Sequence, residues 1–319
     1  MPLLDLPLAQ LETYTGLNPK PVDHAEYWQR ALAELASVDP KVELIPAEFQ
    51  TPFAECFHLY FTGVRKARIH AKYLRPRNVA KKHPALLEFH GYTSSSGDWN
   101  GKLGWLGLGF SVASLDCRGQ GGLSEDTGGV TGTTHHGHFI RGLQDNPENL
   151  LFRHIFLDTV ALAGIVMALD EVDANRVGAL GASQGGALTL ACAALEPRIR
   201  RAAPTFPFLS DYQRVWEMDL AEGAYGELSQ FFRRHDPTHA SEREWFTRLG
   251  YIDIQHLVPR IRAQVLMGVG LMDRVCPPST QYAAYNKITS PKRAIVYPDF
   301  GHEDLPGFSD QVFRFMSEL

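Results

Sequence analysis

Three stretches near the start of the chain, 41–49, 55–62 and 68–75, alternate apolar with polar positions and are broken by Pro52, Gly63 and Pro76. A period of two predicts half-buried antiparallel strands. From residue 85 the pattern changes to short, continuous apolar runs at 85–89, 110–115, 177–180, 202–206, 265–269 and 294–297, with helical patterns in the gaps. Runs that are apolar on both faces and separated by helices predict parallel strands buried under helical layers. The most apolar helical pattern, at about 152–170 (Phe156, Val160, Leu162, Val166, Leu169), is expected to pack on that sheet. Near the N-terminus Tyr27, Leu32, Leu35 and Ala36 recur at helical spacing after Pro19-Lys20-Pro21, with Asp23 as the expected cap. Residues 209–260 carry Trp216, Tyr225, Phe231, Phe232 and Trp245 among many charges and no clean strand, which predicts a helical insertion, a cap or an oligomer contact. At ~150 residues per domain the length would suggest two domains, but one large sheet can use the whole chain. The expectation is a single α/β domain over 1–319, with a helical extension at 1–40 and an insertion at 209–260.

Composition narrows the partners. The 319 residues include 31 Lys and Arg against 36 Asp and Glu, a net charge of -5, so no positive excess is present to neutralise phosphates and nucleic acid is not expected. A 44% hydrophobic content is that of a globular chain rather than a disordered one. The longest apolar stretch, Val160 to Leu169, falls short of the ~20 residues that span a bilayer. Met1-Pro2-Leu3-Leu4-Asp5 lacks a basic segment and carries an early acid, so no secretory signal, no membrane partner and a cytoplasmic location are expected. Cys56, Cys117, Cys192 and Cys276 lie far apart without paired spacing and read as free thiols.

The strongest chemical signal is Gly181-Ala182-Ser183-Gln184-Gly185-Gly186, directly after one strand and opening an apolar helix. This is the G-x-S-x-G elbow in the context it requires. A sharp strand-to-helix turn forces the serine into a strained conformation, and the flanking glycines give the chain room. The helix N-terminus then presents its N–H groups to developing negative charge. A serine needs a base. Asp273 follows a later strand, and His302, in Asp299-Phe300-Gly301-His302-Glu303, follows the next, in the order Ser, Asp, His of an α/β-hydrolase. His302 would take the serine proton as neutral imidazole, and Asp273 would fix its tautomer; Asp299 is a rival acid. Two backbone donors are expected to form the oxyanion hole, those of Gln184 and of Tyr92 after Phe89-His90-Gly91. His90 is expected only to brace that loop.

These residues resemble the acetyl xylan esterase and cephalosporin C deacetylase group, carbohydrate esterase family seven. Arg118-Gly119-Gln120, the Gly181–Gly186 elbow and His302-Glu303 carry the likeness, supported by Ser124-Glu125-Asp126, Gly137-His138, Leu271-Met272-Asp273 with Cys276-Pro277-Pro278-Ser279-Thr280, and Ala283-Ala284-Tyr285-Asn286. The likeness spans nearly the whole chain. It implies an α/β-hydrolase fold, Ser183 as nucleophile with Asp273 and His302, and oxyanion donors at Tyr92 and Gln184. It further implies removal of acetyl groups from small esters such as acetylated xylo-oligosaccharides and cephalosporin C, with no metal or cofactor and a closed hexamer. Thr93 to Asp98 lacks the Gly-Gly-Arg-Gly run of many members, so the mouth of the site is expected to differ.

Arg118, Gln120 and Glu303 are expected to support the site, with Arg118 pairing Glu303 to fix the loop of His302. His135, His136 and His138 read as a loop near the mouth rather than a metal site. Tyr92, Trp105 and Phe208, with Phe206 and Pro207, are candidates for the wall of a short acyl pocket. A serine peptidase, an acyltransferase and a non-catalytic binding module are the alternatives on the same triad; a propeller-bearing peptidase would need more than the ~85 residues ahead of the first buried run.

Overall fold

The computed structural model describes residues 4–77, 82–127 and 138–319. In chain order it contains α1 (Leu8–Leu11), α2 (His24–Ala36), β1 (Glu43–Pro46), β2 (Ala54–Thr62), β3 (Arg68–Pro76), β4 (His83–Phe89), α3 (Leu103–Gly107) and β5 (Ser111–Leu115). Then follow α4 (Leu151–Ala168), β6 (Val172–Ala182), α5 (Gln184–Leu195), β7 (Arg201–Thr205), α6 (Tyr212–Glu217), α7 (Gly226–His235), α8 (Glu242–Leu249) and α9 (Ile254–Leu257). The chain ends with β8 (Gln264–Gly270), α10 (Pro278–Tyr285), β9 (Lys292–Tyr297) and α11 (Phe308–Ser317).

The strands form one sheet in the order β1-β2-β3-β5-β4-β6-β7-β8-β9. β1, β2 and β3 pair antiparallel, as their alternation predicts, and β3 joins β5 antiparallel. From β5 onward every pairing is parallel, which matches the six continuous apolar runs. The short β1, ending in Pro46, and β9, beginning Lys292-Arg293, are the two edges.

Helices cover both faces. On one, α4 and α5 bury nearly every side chain against the sheet, and Trp28 of α2 stacks on Phe156 of α4 at 5.9 Å. On the other, Leu86, Phe110, Ala203 and Leu266 meet Phe308, Val312 and Met316 of α11. By length and composition α4 is apolar enough to cross a bilayer, which the run Val160 to Leu169 alone did not indicate, but 83% of it is buried inside the protein. That is the position of a core helix.

One local expectation is corrected and another is located. Asp23 does not cap α2; its carboxylate accepts from the Tyr251 hydroxyl at 2.5 Å and thereby ties the N-terminal extension to the end of α8. Residues 209–260 are helical as predicted, from α6 to α9, and are inserted between β7 and β8.

Candidate active site

The parallel strands converge so that the loops at their C-terminal ends meet over the sheet. β6 delivers Ser183 with φ 57° and ψ -119°, a left-handed conformation that costs a non-glycine residue about 1–3 kcal/mol. It persists because its surroundings overdetermine it. Ser183 N–H donates to Thr205 O at 3.0 Å, and Ser183 O accepts from the N–H of Phe208 at 3.0 Å. The glycines are required by crowding: a Cβ on Gly181 would lie 2.5 Å from Phe89 O, and one on Gly185 would lie 2.0 Å from it.

Asp273, fully buried beyond β8, accepts from His302 Nδ1 at 2.9 Å. A carboxylate only accepts, so this bond places the proton on Nδ1 and leaves Nε2 free as a base. The other carboxylate oxygen, Oδ1, is held by the N–H groups of Val275 and Cys276 at 2.8 and 2.7 Å. Asp299, the rival acid, is exposed. His302 is half-buried, and the Phe206 ring lies 4.4 Å from it. Its loop is closed by Glu303, whose carboxylate accepts from Gly301 N–H at 2.9 Å.

Sequence reasoning did not single out Cys276 for chemistry. Its thiol is fully buried, and burial pushes it well above its ordinary range, Asp273 adding to the rise and the nearby Ser183 hydroxyl working the other way. Among the described residues no hydrogen bond joins Ser183 to His302, and catalytic hydrogen bonds often tighten only once substrate is bound. Donor atoms of Asp273, Cys276 and His302 lie within 4.8 Å of one another, a set with metal-ligand chemistry among the described residues. Residues His135 and His136 lie outside the described residues.

Gln184 and Tyr92 are the residues expected to supply the oxyanion donors. Gln184 provides the first N–H of α5, one of the orphan donors of a helix start. Its buried side chain donates to His90 O at 3.3 Å and exchanges hydrogen bonds with Gln120 at 2.8 and 3.1 Å. Gln120 in turn accepts from Thr93 N–H at 2.9 Å, which ties the loop carrying Tyr92 to the start of α5. His90 also braces: its Nδ1 donates to Gly91 O at 2.7 Å, and its Nε2 accepts from Cys117 N–H at 3.0 Å.

Three supporting assignments change or sharpen. Arg118 does not pair with Glu303. Buried at the end of β5, it grips Asp158 of α4 through Nε and Nη2, both at 2.6 Å, and also donates to Val64 O. The fork geometry of guanidinium and carboxylate favours this partner, and no solvent competes for it. Trp105 does not wall the pocket. It stacks on Phe313 of α11 at 4.9 Å and precedes Phe110 at the start of β5, the opposite end of the strand from the site. Phe208 is fully buried, with its ring 5.4 Å from that of Tyr92.

Tyr92 reveals a residue that no pattern marked. Its hydroxyl donates to Glu227 of α7, a buried carboxyl in the insertion, and accepts from His138 N–H at 3.0 Å. Burial pushes Glu227 up to about 7, against hydrogen bonds from Tyr92 and the N–H groups of residues 138–140. Burial also lowers His138.

Comparison with known proteins agrees with this geometry. The chain superposes on acetyl xylan esterase 1 from Thermoanaerobacterium sp. JW/SL YS485 with TM-score 0.98 and 61% identity, covering 98% of this chain and 99% of that one. An acetyl xylan esterase from Paenibacillus sp. R4 gives TM-score 0.94 at 32% identity, with 98% and 99% covered. Acetyl esterase Axe7A from Xylanibacter ruminicola is 31% identical over 163 residues, 51% of this chain, and the match spans about a third of that curated relative's length (35%). The profile described as acetyl xylan esterase (AXE1) matches residues 1–319: the chain belongs to the acetyl xylan esterase family.

Proposed function

We propose that the protein is a serine carboxylesterase that removes acetyl groups from small acetylated substrates through an acetyl-Ser183 intermediate. The observation that carries this is the Asp273–His302 hydrogen bond, which leaves Nε2 as the free base in a site whose serine stands on a strained elbow. Bound substrate brings the Ser183 hydroxyl into hydrogen-bond reach of His302 Nε2. As Ser183 Oγ attacks the acetyl carbonyl, Nε2 takes its proton, and Asp273 stabilises the imidazolium. The N–H groups of Tyr92 and Gln184 receive the oxyanion, each worth ~10²–10³ in kcat. His302 returns the proton to the leaving alcohol, then activates the water that releases acetate. Phe206 and Phe208 would keep the acyl side short.

The names of the relatives support acetylated xylan fragments as substrates, the resemblance extends the proposal to cephalosporin C and a closed hexamer, and four widely spaced cysteines without paired spacing support a cytoplasmic setting. The test is acetate release by wild type and Ser183→Ala from acetyl, butyryl and octanoyl p-nitrophenyl esters, acetylated xylose and cephalosporin C. Serine-dependent hydrolysis confined to acetyl compounds is expected. Activity that survives Ser183→Ala, or a preference for octanoyl esters, would overturn the proposal.

A further inference from the structure

We infer that Glu227 is a positioning residue for the oxyanion hole: its carboxyl group, delivered by α7 of the insertion, holds the Tyr92 side chain and so fixes the backbone N–H that receives the developing charge. This rests on the esterase reading of the site. Tyr92 donates its hydroxyl to Glu227 Oε1, and His138 N–H donates to the same oxygen at 3.2 Å. The N–H groups of Phe139 and Ile140 also face the carboxyl group. The Tyr92 ring meets His138 at 5.2 Å and Phe208 at 5.4 Å, and Phe208 N–H holds the carbonyl of Ser183. Glu227 therefore closes a circuit from the insertion, through Tyr92 and Phe208, to the nucleophile.

Energetics argue that this acid does more than fill space. Glu227 is 5% exposed, and its Oε2 has no hydrogen-bond partner among the described residues. Replacing both partners of a buried hydrogen bond by apolar groups of similar shape is often neutral or stabilising, so packing alone does not account for a carboxyl–hydroxyl pair here. Its location does. Gln120 and Gln184 tether residues 90, 91 and 93 of the oxyanion loop, whereas the side-chain hydrogen bonds of residue 92 itself run to Glu227 and the adjoining His138 N–H. An oxyanion donor works within a narrow range of about 2.7–3.1 Å, so slack at residue 92 falls directly on the transition state.

The experiment compares Glu227→Leu, which removes the acceptor, Glu227→Gln, which keeps volume and an acceptor oxygen, Tyr92→Phe, which keeps the N–H, and the Glu227→Leu/Tyr92→Phe double variant. Each is assayed for kcat and KM on p-nitrophenyl acetate and for inhibition by a methyl trifluoromethyl ketone, which forms an oxyanion on the serine. Melting temperatures are recorded alongside. The expected result is a fall in kcat of about 10- to 100-fold for Glu227→Leu and for Tyr92→Phe, a part of the ~10²–10³ that a whole donor supplies. KM should stay within about 3-fold and ketone affinity should fall in step with kcat. The double variant should be no worse than either single one, and Glu227→Gln should regain most of the loss.

A folded Glu227→Leu with unchanged kcat, losses that multiply in the double variant, or a change confined to KM would overturn the inference. If Glu227→Leu does not fold, Tyr92→Phe and its double with Glu227→Gln decide by the same criteria. Wild type that is inactive on acetyl esters would instead sink the esterase reading, so the two failures are distinguishable.

Discussion

Glu227→Gln should make the protein more resistant to unfolding at neutral and alkaline pH but not in acid. Burial lifts the Glu227 carboxyl from its ordinary 4.5 to about 7. An acid whose folded-state value is raised contributes stability that is fully present below 4.5 and is lost as pH rises through 7. Over that interval the unfolded chain has ionised and the folded one has not. At about 1.4 kcal/mol per pH unit, wild type gives up about 3 kcal/mol through this one residue. Glutamine keeps the shape and does not ionise. The difference between variant and wild type should therefore grow between pH 4.5 and 7 and level off above. For a chain of this length about 3 kcal/mol corresponds to a gap in melting temperature on the order of 5 °C. Scanning calorimetry of both proteins at pH 4, 5.5, 7 and 8.5 reads it directly. A difference that is flat across pH, or greatest in acid, would show that the carboxyl group is not held in a water-poor site and would refute the reasoning.

Other variants probe the elbow, the buried ion pair and the thiols. Ser183→Gly should be more stable than Ser183→Ala by about 1–2 kcal/mol, because only glycine sheds the cost of φ 57°; equal denaturant midpoints would contradict strain at the nucleophile. Arg118→Met should cost about 3–5 kcal/mol by stranding buried Asp158. Glu303→Ala should leave that pair untouched, and the double variant should unfold with additive free energies; strong coupling would revive a contact between them. All four cysteines are buried, so a chromogenic disulfide reagent should leave the native protein unlabelled and titrate four thiols after unfolding. Rapid reaction of any one in native buffer would count against its placement.

Sequence pattern revealed the sheet because environment is written into it. A strand with two buried faces must be apolar at every position, and six such runs became the six strands of the parallel half, β4 to β9. β6 began earlier than its run: Asp173, Asn175 and Arg176 fall in an irregularity of the pairing, where the register with β4 shifts between the pairs Val172–His83 and Val177–Ala85. The triad was legible because an elbow imposes a local spacing, and Asp273 and His302 each follow a strand end. Partner choice across the fold was not. Arg118 read as a brace but was matched to Glu303 rather than to Asp158, whose place on α4 is set by tertiary packing. Trp105 could not be told from a pocket aromatic until α3 was placed at the far end of β5. Glu227 left no trace, since one acid in a charged amphipathic helix looks like any solvated residue until the helix docks.

The two borders of the sheet govern how copies of this protein can meet. A strand border offers unpaired N–H and C=O groups to any passing strand. Here one border is only four residues long and closes on Pro46, and the other opens with Lys292 and Arg293 after Pro291. A proline deprives an incoming strand of a donor, and two adjacent cations repel a second copy of themselves. Assembly by continuing the sheet from one molecule into the next is thereby disfavoured, and at high concentration the protein is guarded against fibrous aggregation. Association would have to proceed through side-chain surfaces, which can be closed and finite.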